Sequence, residues 1–226
     1  MARLCSSQKF SPDSLCGQRG PRQRGGPRVP TRAFPRIYGA RPPPVHDDPR
    51  HDAVGNLMSA LEGAGRGLTT SGDGRAAIMA AVETLEGLGA ESVTTGEDLS
   101  SRWRLLWTTE KETLFILRNA RWFGTEAGDV YQIIDVGEGR LQNVITFPPT
   151  GSFVVDSSIE VVDDKRVAFE FKTACLKVPG MQLPVPPYGK GWFDTVYVDD
   201  DIRVAKDSRN DTLIVARDGP PEMFET

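Results

Sequence analysis

The side chains that most often do chemistry are few in this chain, and their positions limit what they can do. Both histidines, His46 and His51, fall in a polar, proline-rich stretch ahead of the first apolar periodicity. The segment that can fold therefore offers no imidazole as a general base or a zinc ligand, and most hydrolase mechanisms lose their usual base. Cys5 and Cys16 lie in a basic leader, and Cys175 stands alone between Ala174 and Leu176 in an alternating segment. That is the setting of a buried, inert thiol, and a lone thiol fits a reducing compartment. Gly63-Ala64-Gly65-Arg66-Gly67 follows a helical pattern and lacks the G-x-G-x-x-G spacing of a dinucleotide loop. Asp199-Asp200-Asp201 points three carboxylates in different directions, as a solvated turn does. Glu160 and Glu170 fall on the polar phase of their strands, where acids keep a sheet soluble rather than flank a glycosidic bond. No catalytic residue, metal ligand or cofactor is expected.

Two apolar segments remain. Leu114–Phe123, LFILRNARWF, sets Phe115, Ile116, Trp122 and Phe123 on one helical face beside Arg118 and Arg121. Aromatics with a basic rim suit a helix that dips into a lipid surface, and they equally suit a lid packed over a core. Pro179–Trp192, PGMQLPVPPYGKGW, reads as a loop whose four prolines keep it out of a hydrogen-bonded ladder, fringing the mouth of whatever it borders.

The elements that must position these segments follow from periodicity. Val54, Leu57, Met58 and Leu61 recur at helical spacing, and so do Ile78, Val82 and Leu85. The second helix has Ser71 and Asp73 as candidate N-caps, and Gly87 or Gly89 as a left-handed C-cap. From Arg102 the period becomes two, over residues 103–108, 130–136, 141–147, 152–162, 166–173, 193–198, 202–205 and 212–216. Phe153, Val155, Ile159 and Val161 share one face, as do Val167, Phe169 and Phe171, with Asp156, Glu160, Arg166, Glu170 and Lys172 on the other. Short turns such as Gly137-Glu138-Gly139 join the strands sequentially. The fold class is mainly β within α+β: a lipocalin-like antiparallel barrel of about eight strands preceded by two short helices, closed so that no edge is left. Its interior, the expected ligand site, is assigned to Leu105, Trp107, Ile134, Ile145, Phe153, Val155, Phe169, Phe171 and Tyr197.

The 226 residues, 38% hydrophobic and 26% charged, are ordinary for one packed domain. No run approaches the roughly 20 apolar residues that cross a bilayer, so membrane contact is expected to be peripheral. Residues 1–44 hold nine Lys and Arg against one acid, Asp13, and the remainder carries a net charge of −12 by difference. A nucleic-acid partner is disfavoured by that charge. The leader is rich in Arg, Ser, Gly and Pro without the apolar core of a secretory signal, which is the composition of an organellar transit peptide. The expected organisation is a disordered leader and linker over 1–50, a folded domain over 51–218 and a tail over 219–226.

The run Trp103-Arg-Leu-Leu-Trp-Thr-Thr-Glu-Lys-Glu112, with Gly128-Asp-Val-Tyr-Gln-Ile-Ile-Asp135, Asn143-Val-Ile-Thr-Phe-Pro-Pro149, Leu183-Pro-Val-Pro-Pro187, Gly191-Trp-Phe-Asp194 and Tyr197-Val-Asp-Asp-Asp-Ile-Arg-Val204, resembles the plastid lipid-associated protein, or fibrillin, domain in order and spacing. The likeness runs from about Val54 to Val215. It implies a non-enzymatic plastid protein at plastoglobules or thylakoids, which binds or coats prenyl lipids of the carotenoid, quinone or tocopherol class. The alternative is a structural or assembly protein on thylakoid membranes with a solid core and no ligand. Two departures stand out: Ser101-Arg102-Trp103 replaces the family's Gly-X-Trp opening, and Asp207–Asp211 replaces a glycine-bearing turn, with Asn210 taking the left-handed position. In lipocalin-like barrels an opening-strand Trp is covered by a late Arg. Trp103 and Arg203 are therefore expected to meet at the barrel floor, with Arg217 the other candidate and an outward Arg203 paired with an acid such as Asp135 the competing placement. The leader reading is checked by mass spectrometry of protein purified from the organelle: the N-terminus is expected between about residues 40 and 53, and an intact Met1 defeats it.

Overall fold

A computed structural model describes residues 48–123, 125–186 and 189–224, and the side chains of Trp122 and Phe123 lie outside that description. Of the leader and linker assigned to 1–50, residues 1–47 fall outside it too. Helix α1 spans Pro49–Leu61, opening earlier than the apolar periodicity because Asp48 accepts a hydrogen bond from Arg50 N at 3.0 Å and Pro49 is preset for a first turn. Helix α2 spans Gly72–Leu88, with Ser71 as its N-cap accepting from Gly74 N at 3.0 Å. The helix ends at Gly89, but with φ −90° rather than the expected left-handed conformation. Glycine is required there for space: a Cβ would stand 2.5 Å from the carbonyl oxygen of Val196. The two helices bury Ala53, Leu57, Ile78, Val82 and Leu85.

The strands are β1 Ser101–Thr108, β2 Val130–Asp135, β3 Arg140–Phe147, β4 Gly151–Val161, β5 Arg166–Val178, β6 Met181–Val185, β7 Lys190–Val198, β8 Ile202–Asp207 and β9 Thr212–Arg217. All pairings are antiparallel, in the order β4-β3-β2-β1-β9-β8-β7-β5, and β4 pairs β5 to close an eight-stranded barrel. The expected barrel is present. The ninth strand, β6, corrects the reading of the Pro-rich segment as a loop. It pairs with the far half of β5, Val178↔Met181 to Ala174↔Val185, while β7 pairs with the near half, Glu170↔Lys190 to Arg166↔Asp194. Pro184 is tolerated because β6 has no second neighbour to which its missing N–H would be owed.

Three bulges set the phase of the side chains. On β1 the pairing steps from Leu105↔Val215 to Trp107↔Ile214, on β7 from Thr195↔Ala205 to Tyr197↔Val204, and on β5 from Thr173↔Asp156 to Phe171↔Ser157. Leu106, Val196 and Lys172 are the extra residues, and beyond each the side chains exchange faces. Helix α3, Lys111–Asn119, and a 3-10 turn at Ala120–Phe123 connect β1 to β2. They lie at the end of the barrel that also holds the β3–β4, β5–β6 and β8–β9 turns. At the opposite end a 3-10 turn at Glu97–Leu99 leads into β1 with Leu99 fully buried.

Glu110 precedes α3, accepts a hydrogen bond from Thr113 Oγ1 at 2.9 Å and faces Asp207 and Asp211. Desolvation, helped by those two acids, holds its carboxyl above the ordinary 4.5. The folded chain therefore binds this proton more tightly than the unfolded one, and stability falls as pH rises from about 4.5 through the raised value. Glu110→Gln keeps an acceptor for Thr113, so its melting temperature relative to wild type should rise between pH 4 and pH 7; a constant difference across that range overturns the assignment. Among the glycines, Gly89→Ala should cost about 1–3 kcal/mol through its clash with β7. Gly87→Ala, which meets nothing within 4 Å on an exposed helical turn, should gain up to about 1 kcal/mol. Equal urea midpoints for the two variants contradict this reading.

Candidate functional site

Between the 3-10 turn at one end and α3 at the other, the barrel encloses a cavity of about 350 Å³. Its wall alternates from strand to strand: Leu105 from β1, Ile145 from β3, Phe153 and Val155 from β4, Phe169 and Phe171 from β5. Phe193, Leu213 and Val215 complete the apolar side. Two polar residues interrupt it. Gln132 of β2 and Asn143 of β3 are direct cross-strand partners, and Gln132 Nε2 donates to Asn143 Oδ1 at 3.1 Å. Gln132 Oε1 in turn accepts from Nη2 of Arg203. Arg203 has no exposed surface; its Nη1 reaches Thr195 Oγ1 at 3.5 Å and, among the described residues, its Nε has no hydrogen-bond partner. Burial pulls its pKa down to about 9, which leaves the guanidinium charged at neutral pH.

The mouth lies at the α3 end. Glu110, Glu112 and Thr113 on one side face Asp207, Arg209 and Asp211 of the β8–β9 turn on the other. Arg209 Nη1 bridges to Glu112 Oε1 at 2.6 Å, tying α3 to that turn, and Asn210 holds the turn with φ +63°. Above the opposite wall the β5–β6 hairpin continues the inward face. Met181, Leu183 and Val185 pair with Val178, Leu176 and Ala174, so their side chains lie on the face that carries Phe153 and Val155. All three are exposed, and so is Phe115 on α3, at 60%.

At the closed end the fully buried Trp103 donates Nε1–H to Leu99 O at 2.9 Å. The Arg217 guanidinium stands 4.3 Å from the indole centre and donates to the main-chain oxygens of Asp98, Asp199 and Asp200. Arg203 stands 5.5 Å from the same ring and 5.4 Å from Phe193. The indole therefore meets both late arginines, and Arg217 is the nearer. Asp135 is occupied in its own turn, accepting from Glu138 N at 2.9 Å.

Of the residues assigned to the interior, Leu105, Ile145, Phe153, Val155, Phe169 and Phe171 line the cavity. Ile134 faces inward but is fully buried in the packed cluster with Leu99 and Trp103. Trp107 and Tyr197 are corrections. The bulges at Leu106 and Val196 turn both to the outside, where they pack under the helices with Leu57, Val82 and Ile214. Trp107 Nε1 donates to Thr70 Oγ1 at 2.9 Å and Tyr197 Oη to Asp199 Oδ2 at 2.8 Å. Phe115 and Ile116 also part company: successive helical residues are about 100° apart, so Phe115 faces out while Ile116 lines the cavity. The side chains of Trp122 and Phe123 lie outside the described residues. Gln132 and Asn143 were missed, although each is a polar residue in the dry phase of its strand, between Val130 and Ile134 and between Leu141 and Ile145. Among the described residues no group of three or more His, Cys, Asp or Glu is placed to hold a metal ion.

The PAP_fibrillin family model matches residues 51–216. The chain is 50% identical over 175 residues to the probable plastid-lipid-associated protein 11, chloroplastic, of Arabidopsis thaliana, covering 76% of this chain and 82% of that one. It is 29% identical to the probable plastid-lipid-associated protein 12, chloroplastic, over 76% of this chain and 46% of the relative. Plastid-lipid-associated protein 6, chloroplastic, from the same plant is 24% identical over 70% and 67%. No solved structure matches. With the barrel, the matched span and these chloroplastic relatives in agreement, the chain is a plastid protein and belongs to the plastid lipid-associated, or fibrillin, family.

Proposed function

We propose that this protein is a non-enzymatic lipid binder that takes part of a prenyl-type lipid into its barrel and meets a plastoglobule or thylakoid surface with the open end. The observation that carries the reading is the cavity of about 350 Å³, walled by aliphatic and phenyl side chains from all eight barrel strands. A volume near the lower bound of ligand pockets, about 300–1,000 Å³, fits a headgroup or a short stretch of chain and not a whole carotenoid. The rest of such a molecule would lie outside, along the exposed apolar face of Met181, Leu183 and Val185. At about 25 cal/mol per Å², burying a few hundred Å² of ligand contributes several kcal/mol without any charged anchor. Phe115 at the same end supports contact with a lipid monolayer, where an exposed aromatic is favoured. The reading of a thylakoid assembly protein with a solid core is disfavoured by a cavity of this size in the barrel.

Filling the cavity tests the proposal. Val155→Trp projects an indole into the void from the middle of β4, so the affinity for a fluorescent long-chain acyl probe should fall at least about tenfold. Near-ultraviolet circular dichroism and the cooperativity of unfolding should stay those of the wild type. Undiminished probe binding by a folded variant overturns the cavity as the lipid site.

A further inference from the structure

The polar row inside the barrel has a direction. A guanidinium has five N–H donors and no acceptor, so the amide of Gln132 must turn its oxygen toward Arg203 and its nitrogen away. That nitrogen donates to Oδ1 of Asn143 at 3.1 Å. Asn143 is then left presenting Nδ2, and among the described residues nothing accepts from it. Either amide by itself is free to rotate half a turn and exchange donor for acceptor; the buried charge at the end of the row fixes both. An otherwise apolar wall thus displays one oriented N–H donor, backed by a positive charge that, among the described residues, has no carboxylate within ion-pair distance.

We infer that the cavity selects a lipid whose polar end is a hydrogen-bond acceptor without a hydrogen of its own, a carbonyl oxygen, bound head-inward on Nδ2 of Asn143 with its chain leaving past α3 and β6. The inference rests on the reading of the cavity as a lipid site. A carbonyl relieves the unmet donor and brings none. A hydroxyl gains the same bond but must also bury its own hydrogen beside Leu105, Ile145 and Val155, and an unmet donor in such surroundings is costly. The acids that would accept from it, Asp207 and Asp211, stand at the mouth. Head-inward binding also suits the volume, because the chain is the part with apolar surface waiting outside.

The test uses the full chain and three matched probes: a straight-chain methyl ketone, the secondary alcohol made by its reduction, and the corresponding alkane, each titrated calorimetrically. Wild type should favour the ketone over the alcohol by about threefold to tenfold, the yield of one net hydrogen bond. Asn143→Leu should reduce ketone affinity relative to the alkane by a similar factor. Gln132→Glu gives the more informative result. Its carboxylate accepts from both Arg203 and Asn143, so the Asn143 amide turns over, presents Oδ1 to the cavity and reverses the order in favour of the alcohol. Carbon-13 labelling of the ketone carbonyl reads the same contact as a downfield shift on binding to wild type that is lost in Asn143→Leu. An unchanged ketone-to-alkane ratio in Asn143→Leu, or an unchanged ketone-to-alcohol order in Gln132→Glu, overturns the headgroup inference while leaving the cavity reading intact. If wild type binds none of the three, the cavity reading falls and takes this one with it. Should Asn143→Leu fail to fold, Gln132→Glu decides alone, since it supplies Arg203 with a carboxylate and leaves no charge unpaired.

Discussion

A positive charge with no exposed surface sits inside this barrel, and the rest of the interior is arranged around it. Burying an ion costs several kcal/mol even after relaxation, and among the described residues Arg203 has no carboxylate within ion-pair distance, the more distant Glu110 giving only partial relief. What it has is the Gln132 oxygen, the Thr195 hydroxyl, and the faces of Trp103 and Phe193 at 5.5 Å and 5.4 Å. Each cation–π contact contributes about 0.5–2 kcal/mol, so the set softens the penalty without cancelling it. Burial therefore drives the guanidinium's proton affinity down, and one nitrogen, Nε, has no partner among the described residues. Such a group lends the interior an orientation, in which Trp103 becomes a floor and Gln132 and Asn143 become a row with a defined sense.

That cost is carried by a wall sealed on both faces. Closure through β4 and β5 leaves no edge among the eight barrel strands. Over β7, β8, β9 and the end of β1, helices α1 and α2 cover Val196, Tyr197, Ile202, Val204, Ile214 and Trp107. Over β2, β3 and β4 the chain end does the same, with Met223 and Phe224 against Ile133, Val144 and Val154. Gln142 holds that tail by accepting from Phe224 N at 2.7 Å and donating to Phe224 O at 3.0 Å. Covering both sides lets consecutive residues be buried, which is why Ile202–Ala205 of β8 reads as an apolar run broken only by Arg203.

Periodicity made most of this legible. The alternation of Phe153, Val155 and Ile159 against Asp156 and Glu160 is written plainly in β4, and the barrel follows from eight such segments joined by short turns. A bulge escapes the same reasoning because one extra residue leaves the alternation on either side intact; Trp107 and Tyr197 carried the right residue types in the wrong phase. Strand β6 escaped because Pro184 argues against a central strand, and nothing local tells an edge hairpin from a loop. Gln132 and Asn143 were readable in principle. A polar side chain in a dry phase is a departure from pattern, and here the two departures stand opposite each other across β2 and β3. For Arg203 and Arg217, both late and both inward, sequence alone could not rank their distances to Trp103. That ranking depends on the Asp199–Asp201 turn, whose carbonyls hold Arg217 over the ring.

The two ends of the cavity are held by different kinds of interaction, and the difference gives the barrel a polarity. At the floor, Trp103 and Leu99 are fully buried, and Arg217 stacks on the indole while capping three carbonyls. Opening that end would expose apolar surface and orphan several hydrogen bonds at once. Across the mouth, the side chains that join α3 to the β8–β9 turn are Arg209 and Glu112, 54% and 66% exposed. A solvated pair of this kind contributes about 0–1 kcal/mol. Helix α3 has nine residues, too few for a helix to hold itself without packing. Its hold on the barrel comes from Leu117 and Ile116, the first buried in the core and the second turned into the void. Displacing the lid thus costs far less than disturbing the floor, and the free-energy gradient along the barrel axis runs toward the end where Phe115, Met181, Leu183 and Val185 already face outward.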